Sequence, residues 1–258
     1  MEYRAIKLWI RNDVAVITLR RPEVMNALNT QMRAEITHAV KAAEAEARVL
    51  VMTGQGKSFC SGQDLGDGGN AAALDLERTL RDEYVPMLRA IVDCKIPTIA
   101  AVNGPAAGAG ANLALAFDVV IASDAAYFVQ AFTRIGLIPD AGGTHFLPRQ
   151  IGTARAMGAA LFADKISAEQ AADWGMIYEC VAADEFEAHW QARAAKLAAG
   201  PTVAYSHVKT ALRESSGNTF EQQLALEAKL QGKCGQTRDF QEGVVSFLQK
   251  RPPVYEGR

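Results

Sequence analysis

The sequence predicts an α/β fold that passes into a largely helical last third. Three observations carry that expectation. Short apolar runs of β type recur at residues 14–19, 49–53, 97–102 and 119–122, with amphipathic helices of ten residues or more between several of them. That alternation favours a parallel or mixed sheet whose strands are buried on both faces beneath crossover helices. After Arg149 the strand pattern gives way to successive helical patterns, and no tandem repeat, low-complexity tract or Pro/Ser-rich linker divides the chain.

Taken in order, Ile6–Ile10 and Val14–Leu19 are apolar or alternating runs split by Arg11-Asn12-Asp13, a composition that reads as a hairpin. A helical pattern runs from Asn29 to about Ala45. Val49–Thr53 is a compact strand stopped by Gly54, and a second amphipathic helix is expected over roughly Ala73–Val92. Pro97–Val102 and Val119–Ala122 supply further strands. Ser167-Ala-Glu-Gln170 reads as a capping box whose short helix ends at Gly175, and Glu185–Ala198, Pro201–Arg213 and Thr219–Leu230 read as helices. The chain is therefore divided into an α/β core over residues 1–200 and a C-terminal helical region over residues 201–258, expected to serve assembly or as a lid rather than to fold alone.

At 258 residues, with 49% hydrophobic and 22% charged residues, the composition is that of a globular enzyme and not of a disordered chain. Basic and acidic residues nearly balance, 27 against 29, so no overall field recruits nucleic acid or an anionic membrane. No N-terminal apolar stretch has signal-peptide length, and no run approaches the roughly 20 apolar residues of a membrane span. A cytoplasmic location is the resulting expectation. Cys60, Cys94, Cys180 and Cys234 are widely spaced, which suggests neither a zinc site nor a disulfide framework; no metal is expected.

Nucleotide loops fail on inspection. Gly56-Lys57-Ser58 follows a strand, but a phosphate loop needs glycine where Val51 stands. Gly108-Ala-Gly110 lacks the third glycine of a dinucleotide fingerprint, because position 113 is Leu.

Two small-residue turns, Ser61-Gly-Gln-Asp64 and Gly108-Ala-Gly110, are open enough for backbone N–H groups to reach a ligand atom. Two such donors would make an oxyanion hole, and a helix beginning at Ala109 would place its N–H at the positive end of the helix dipole. The same glycines also suit plain strand-to-helix turns, and both readings stand at this point. Downstream, Ile135-Gly-Leu-Ile-Pro-Asp-Ala-Gly-Gly-Thr144 sets one carboxylate, Asp140, in an otherwise apolar glycine-rich turn. Asp140 is the candidate catalytic base; as an alternative it caps the helix that follows. Phe132, Ile138 and Phe146 are expected to wall it and raise its pKa. Asp118 and Asp124 read as turn or capping carboxylates, and His145 as a supporting residue.

Leu19-Arg-Arg-Pro22 with Asn26-Ala-Leu28, Gly56-Lys-Ser-Phe-Cys-Ser-Gly-Gln-Asp64, Asn103-Gly104 through Leu113-Ala114, Phe117-Asp118, Ile138-Pro-Asp-Ala-Gly-Gly-Thr144 and the tail Phe240-Gln-Glu-Gly243 to Pro252 together resemble the enoyl-CoA hydratase/isomerase, or crotonase, superfamily along essentially the whole chain. The resemblance implies a crotonase-like spiral of ββα units with a C-terminal helical trimerisation region, a homotrimer or dimer of trimers, and an acyl-CoA substrate with coenzyme A as part of that substrate and no bound cofactor. It carries the oxyanion donors onto the N–H groups of Gln63 and Ala109. It carries CoA contacts onto Met25, Ala27, Gly62 and Asp64, with Lys57 and Lys250 as charge for the phosphates and Phe247 as cover for the adenine from a neighbouring subunit.

The sequence departs from the water-adding members of that family. The positions that hold their two glutamates are Asn112 and Phe132 here, and neither side chain exchanges a proton at neutral pH. Asp140 stands where isomerase and dehalogenase members place an aspartate. Within the family, Pro148-Arg149, Ala154-Arg-Ala-Met-Gly158 and Trp174-Gly-Met-Ile177, taken with the Asp140 turn, look most like the isomerases that open the ring epoxide of phenylacetyl-CoA to an oxepin, or that shift 3-enoyl-CoA to 2-enoyl-CoA. A hydratase, an aryl-CoA dehalogenase, and a non-catalytic scaffold or RNA-binding member are the alternatives.

Overall fold

The computed structural model describes residues 2–66 and 75–258. A lid over residues 66–80, expected from the Gly66-Asp-Gly-Gly-Asn70 run, includes residues 67–74, which lie outside the described residues.

The hairpin forms as expected and one residue longer, β1 (Ile6–Arg11) pairing with β2 (Val14–Leu19) in antiparallel register from Ile6 opposite Leu19 to Arg11 opposite Val14. Asn12 and Asp13 both take positive φ, the conformation a two-residue hairpin turn demands and one that Asn and Asp tolerate. β3 (Val49–Gly54), β4 (Thr98–Val102), β6 (Val119–Ser123) and β9 (Glu179–Val181) then add in parallel, so the described strands build a six-stranded sheet in the order β1-β2-β3-β4-β6-β9. A smaller sheet joins β5 (Ala106–Ala107), β7 (Tyr127–Val129) and β8 (Ile166–Ser167).

Strand alternation sends successive residues to opposite faces, and both faces are covered. On one face Ala15, Ile17, Leu50, Met52 and Ala100 pack with Met32, Ile36, Ala39 and Val40 of α1 (Thr30–Glu46), which starts where Asn29 accepts a hydrogen bond from Met32 N at 2.9 Å. On the other face Val16, Val49, Val51, Ile99 and Ile121 pack with Phe186, Trp190, Ala194 and Ala198 of α7 (Phe186–Ala198).

The helix expected over residues 73–92 is broken. It comprises α2 (Leu76–Thr79), a π-helical turn over Leu80–Tyr84, and α3 (Val85–Val92). Pro86 supplies the reason: it has no N–H for the carbonyl four residues back, and its ring crowds that carbonyl, so the backbone widens by one residue just before it.

The elements that frame the site follow. α4 (Ala109–Leu115) is entirely buried. α5 (Gly143–Phe162) is interrupted at Gly152, whose φ of 75° and ψ of 159° are not helical. α6 (Ala168–Asp173) starts at Ser167, which accepts from Gln170 N at 3.1 Å as the motif predicts, while the full reciprocal capping box is made by Thr219 and Gln222.

Beyond α7 run α8 (Thr202–Glu214), α9 (Phe220–Cys234) and α10 (Arg238–Gln249). Of these, α8 is tied to the sheet region by charged side chains. Lys209 reaches Asp118 Oδ2 and Ile96 O, both at 2.7 Å, and Arg213 reaches Asp118 Oδ1 at 2.6 Å, while Arg48 binds Thr202 Oγ1 at 3.0 Å and Tyr255 O at 3.1 Å. Asp118, read from sequence as a turn carboxylate, is thus chiefly a tertiary anchor for α8; it also accepts from Thr98 N at 2.8 Å.

Candidate active site

Two strand-to-helix connections meet at the site. The loop after β3 runs alongside the segment that leads into α1: Leu28 N donates to Gly62 O at 2.7 Å and Asp64 N donates to Leu28 O at 3.1 Å, a parallel bridge between Leu28 and Gln63. In such a bridge the central residue's own N–H points away from its partner. The Gln63 N–H therefore points away from Leu28. Gly62, at φ 97°, lets the segment that enters α4 come close, because a Cβ there would lie 2.8 Å from Ala107 O and 3.3 Å from Ala109 N. Ala109 is the first residue of α4, where an N–H has no partner within its own helix. The segments that carry the two N–H groups expected to form an oxyanion hole thus lie close together, one of them at a helix N-terminus.

Asp140 lies on a turn gripped from both sides. Its carbonyl accepts from Asn112 Nδ2 at 2.8 Å and from Gly143 N at 2.8 Å, and Asn112 Oδ1 in turn accepts from Gln130 Nε2 at 2.9 Å. Contact with Asn112 leaves no room for a side chain at 143: a Cβ there would sit 2.3 Å from Asn112 Nδ2. The side chain of Asp140 is free of this grip. Its Oδ1 is buried with no hydrogen-bond partner among the described residues, and burial pushes its carboxyl up from 3.8 to about 6, opposed only by its own backbone N–H. The capping alternative fails, because α5 begins at Gly143 after Gly142, with no side-chain cap.

Of the three residues expected to wall Asp140, two lie against neighbouring glycines. Phe132 is buried, its ring 3.7 Å from where a Cβ on Gly108 would stand, and the Phe146 ring lies against Gly142. Ile138 does not join them; it is 76% exposed, since its side of the turn faces outward from this chain. His145 is exposed beside Phe146, its pKa lowered by desolvation and by Arg149.

Asn112 holds the Asp140 turn with an amide, so changing it to Asp turns that donor into an acceptor facing a carbonyl. Asn112→Asp should lose about 1–3 kcal/mol of stability, read as a lower urea midpoint with an unchanged slope.

Of the residues expected to contact CoA, Met25, Ala27, Gly62 and Asp64 are brought together. Met25 is 56% exposed at φ 53°, and Ser61 N donates to its carbonyl at 3.0 Å. The Asp64 side chain is already engaged, pairing with Arg21 at 2.8 Å and accepting from Gly66 N at 3.0 Å. Lys57 is exposed on the turn after β3. Phe247 and Lys250 form a separate cluster at the end of α10: Phe247 is 81% exposed in an apolar groove with Phe240, Val244, Leu248 and Tyr255.

Sequence reasoning passed over several polar residues. Asn26 is fully buried and ties its own turn to the loop after β3, accepting from Arg21 N and donating to Gln55 O and Ser58 O. Asn103 accepts from Gly54 N at 3.0 Å and donates to Gly56 O at 3.0 Å. Arg33 is 2% exposed and reaches Gln63; its position among Met32, Ile36 and Val40 on the buried stripe of α1 was the available signal. Cys60, buried against the site, has its thiol pushed up to about 12 by burial and is unreactive at neutral pH. Among the described residues no three His, Cys, Asp or Glu side chains are placed to hold a metal, and no helix is long and apolar enough to cross a membrane.

Residues 10–258 match the family model described as enoyl-CoA hydratase/isomerase. The chain belongs to the enoyl-CoA hydratase/isomerase family. It is 61% identical over 258 residues, the full length of both chains, to a protein of Rhodobacter capsulatus named as a probable enoyl-CoA hydratase. It is 43% identical over 254 residues to the 1,2-epoxyphenylacetyl-CoA isomerase of Escherichia coli, covering 96% of this chain and 97% of that one. A crystal structure of an enoyl-CoA hydratase from a Polaromonas species superposes with a TM-score of 0.92 at 33% identity, covering 98% of this chain and all of the other. The fold is crotonase-like, and the protein is an enzyme of the family that acts on CoA thioesters.

Proposed function

We propose that this enoyl-CoA hydratase/isomerase family member is a one-base isomerase. Asp140 removes a proton from C2 of a 3-enoyl thioester, the N–H groups of Gln63 and Ala109 hold the dienolate oxygen, and Asp140 returns the proton at C4. No atom is gained or lost. The observation that carries this reading is the half-buried Asp140, whose Oδ1 is buried without a hydrogen-bond partner among the described residues, with Asn112 and Phe132 in place of a second acid. Adding water needs one group to activate the water and another to protonate carbon. The hydratase name of the Rhodobacter relative is the competing reading, and its support is sequence identity.

The finer substrate is ring-1,2-epoxyphenylacetyl-CoA, converted to an oxepin thioester, in phenylacetate breakdown. The name and 43% identity of the Escherichia coli isomerase support it. No bound cofactor takes part; coenzyme A enters with the substrate. The exposed apolar side chains of the C-terminal helices, among them Val208, Leu212, Phe220 and Phe247, are taken to pack against copies of the chain in a trimer or dimer of trimers.

The test is absorbance-monitored conversion of a 3-enoyl-CoA to its conjugated isomer. Because the base must start ionised and burial raises its carboxyl to about 6, kcat/KM should rise with pH through an apparent pKa near that value and level off above it. A flat profile from pH 5 to 8, about the range over which such a group titrates, would remove Asp140 from the role of base.

A further inference from the structure

Gln63 has a side chain that the backbone role of its N–H does not require, and the fold invests heavily in it. Its Oε1 accepts two hydrogen bonds, from Arg33 Nη1 at 2.8 Å and from the Tyr84 hydroxyl at 2.6 Å. Arg33 is itself held on all sides: Nη1 donates to Leu28 O at 2.7 Å, Nε and Nη2 donate to Glu83 Oε2 at 3.0 and 2.6 Å, and the guanidinium stands 4.8 Å from the centre of the Tyr84 ring. Tyr84 is 2% exposed. Glu83 and Tyr84 reach this cluster from the π-helical turn that Pro86 imposes before α3.

Burying an arginine costs several kcal/mol in lost hydration even when it is paired. A glutamine amide tied at both ends fixes a peptide more tightly than a turn with free side chains, and the value of an oxyanion donor depends on its aim. Leu28 fixes the backbone on both sides of residue 63, through Gly62 O and Asp64 N. Arg33 binds Leu28 O and Gln63 Oε1 with the same nitrogen.

We propose that Arg33 and Tyr84 are positioning residues for the oxyanion hole, locking the peptide of Gln63 through its side-chain oxygen so that its N–H stays aimed at the thioester oxygen. The network acts on chemistry through Gln63 and touches no substrate. It rests on the assignment of the Gln63 N–H as an oxyanion donor.

The test uses three variants of the full chain, each with its fold checked by circular dichroism. Tyr84→Phe removes one hydrogen bond and keeps the ring beneath Arg33. Gln63→Met removes the acceptor and keeps the N–H. Gln63→Glu restores an acceptor. The probe is butyryl-CoA carrying carbon-13 at the thioester carbonyl, whose stretching frequency falls when the oxygen is held by aimed donors.

In wild type the bound carbonyl should be displaced below its solution frequency. Gln63→Met should move it back toward that value and lower kcat by roughly ten- to a hundred-fold with little change in KM; Tyr84→Phe should do the same to a smaller extent, and Gln63→Glu should recover most of both. Should Gln63→Met fail to fold, Tyr84→Phe decides the matter. Wild-type frequency and kcat in folded Tyr84→Phe and Gln63→Met would overturn the positioning role while leaving the oxyanion hole standing. An undisplaced carbonyl in wild type would overturn the hole and the network together.

Discussion

Asp140→Asn should lower the conversion of a 3-enoyl-CoA to its conjugated isomer by about 10²–10⁴-fold, the range a positioned acid/base group contributes. Binding should change little, because the substitution is nearly isosteric and the backbone grip on residue 140, from Asn112 Nδ2 and Gly143 N, does not involve the side chain.

The same variant should be more stable than wild type. In the folded protein the carboxyl ionises near 6, against 3.8 when unburied. As pH rises from about 3.8 the unfolded chain ionises first, so the folded state loses stability until about pH 6 and stays at that lower level above it. At neutral pH the deficit is on the order of 1–3 kcal/mol. Asparagine removes this pH-dependent part, so melting temperatures of the two proteins should converge near pH 4 and separate in the variant's favour by pH 7, about one unit past the raised pKa. Gain of stability with loss of turnover is the signature of a carboxylate kept in an unfavourable place for its chemistry. An Asn variant that is both inactive and less stable at pH 7, about one unit past the raised pKa, would instead mark Asp140 as structural.

Ala109→Pro should cost about 10²–10³-fold in kcat, the effect of losing one oxyanion donor, or roughly 2.7–4 kcal/mol. Proline at this position is unusually informative. Ala109 is the first residue of α4, where proline fits the helix and the missing N–H has no helical partner to lose. The preceding residue is glycine at φ 51° and ψ −125°, free of the Cβ that crowds a following proline. The fold should therefore survive, which thermal unfolding checks, while the donor disappears and the ring occupies its place. Activity within a factor of about three of wild type in a folded Ala109→Pro protein would show that the α4 N-terminus does not hold the developing charge.

Much of the fold was legible because it depends on local signals. Asn12-Asp13 sets the hairpin turn and Asn29 starts α1. The strands at 14–19, 49–53 and 97–102 carry apolar runs that only a two-faced sheet buries. The interruption at Leu80–Tyr84 was missed although Pro86 stood in the sequence, because the apolar periodicity on either side continues through it. β9 was missed because a three-residue strand, Glu179–Val181, has no periodicity to read.

At the site, Asp140 was visible as a carboxylate among apolar and glycine residues, but its desolvation was not, since burial is set by how the whole chain packs around the turn. Ile138, adjacent in sequence, turns outward. The link from Arg33 through Gln63 to Tyr84 spans separations of 30 and 21 residues, and no local pattern reports such a meeting. Likewise Asp118 reads as a turn residue from its neighbours and becomes an anchor only when Lys209 and Arg213 of α8 reach it.

The central claim is that one acid/base group serves this site and moves a proton without adding water. Product analysis by mass spectrometry, with the wild-type enzyme offered a 3-enoyl-CoA and a 2-enoyl-CoA in separate reactions, tests it most directly. The account predicts isomer of unchanged mass from the first and no hydrated product from the second. A 3-hydroxyacyl-CoA, heavier by one water and formed from the 2-enoyl-CoA as fast as the 3-enoyl-CoA is consumed, would contradict it and make the enzyme a hydratase.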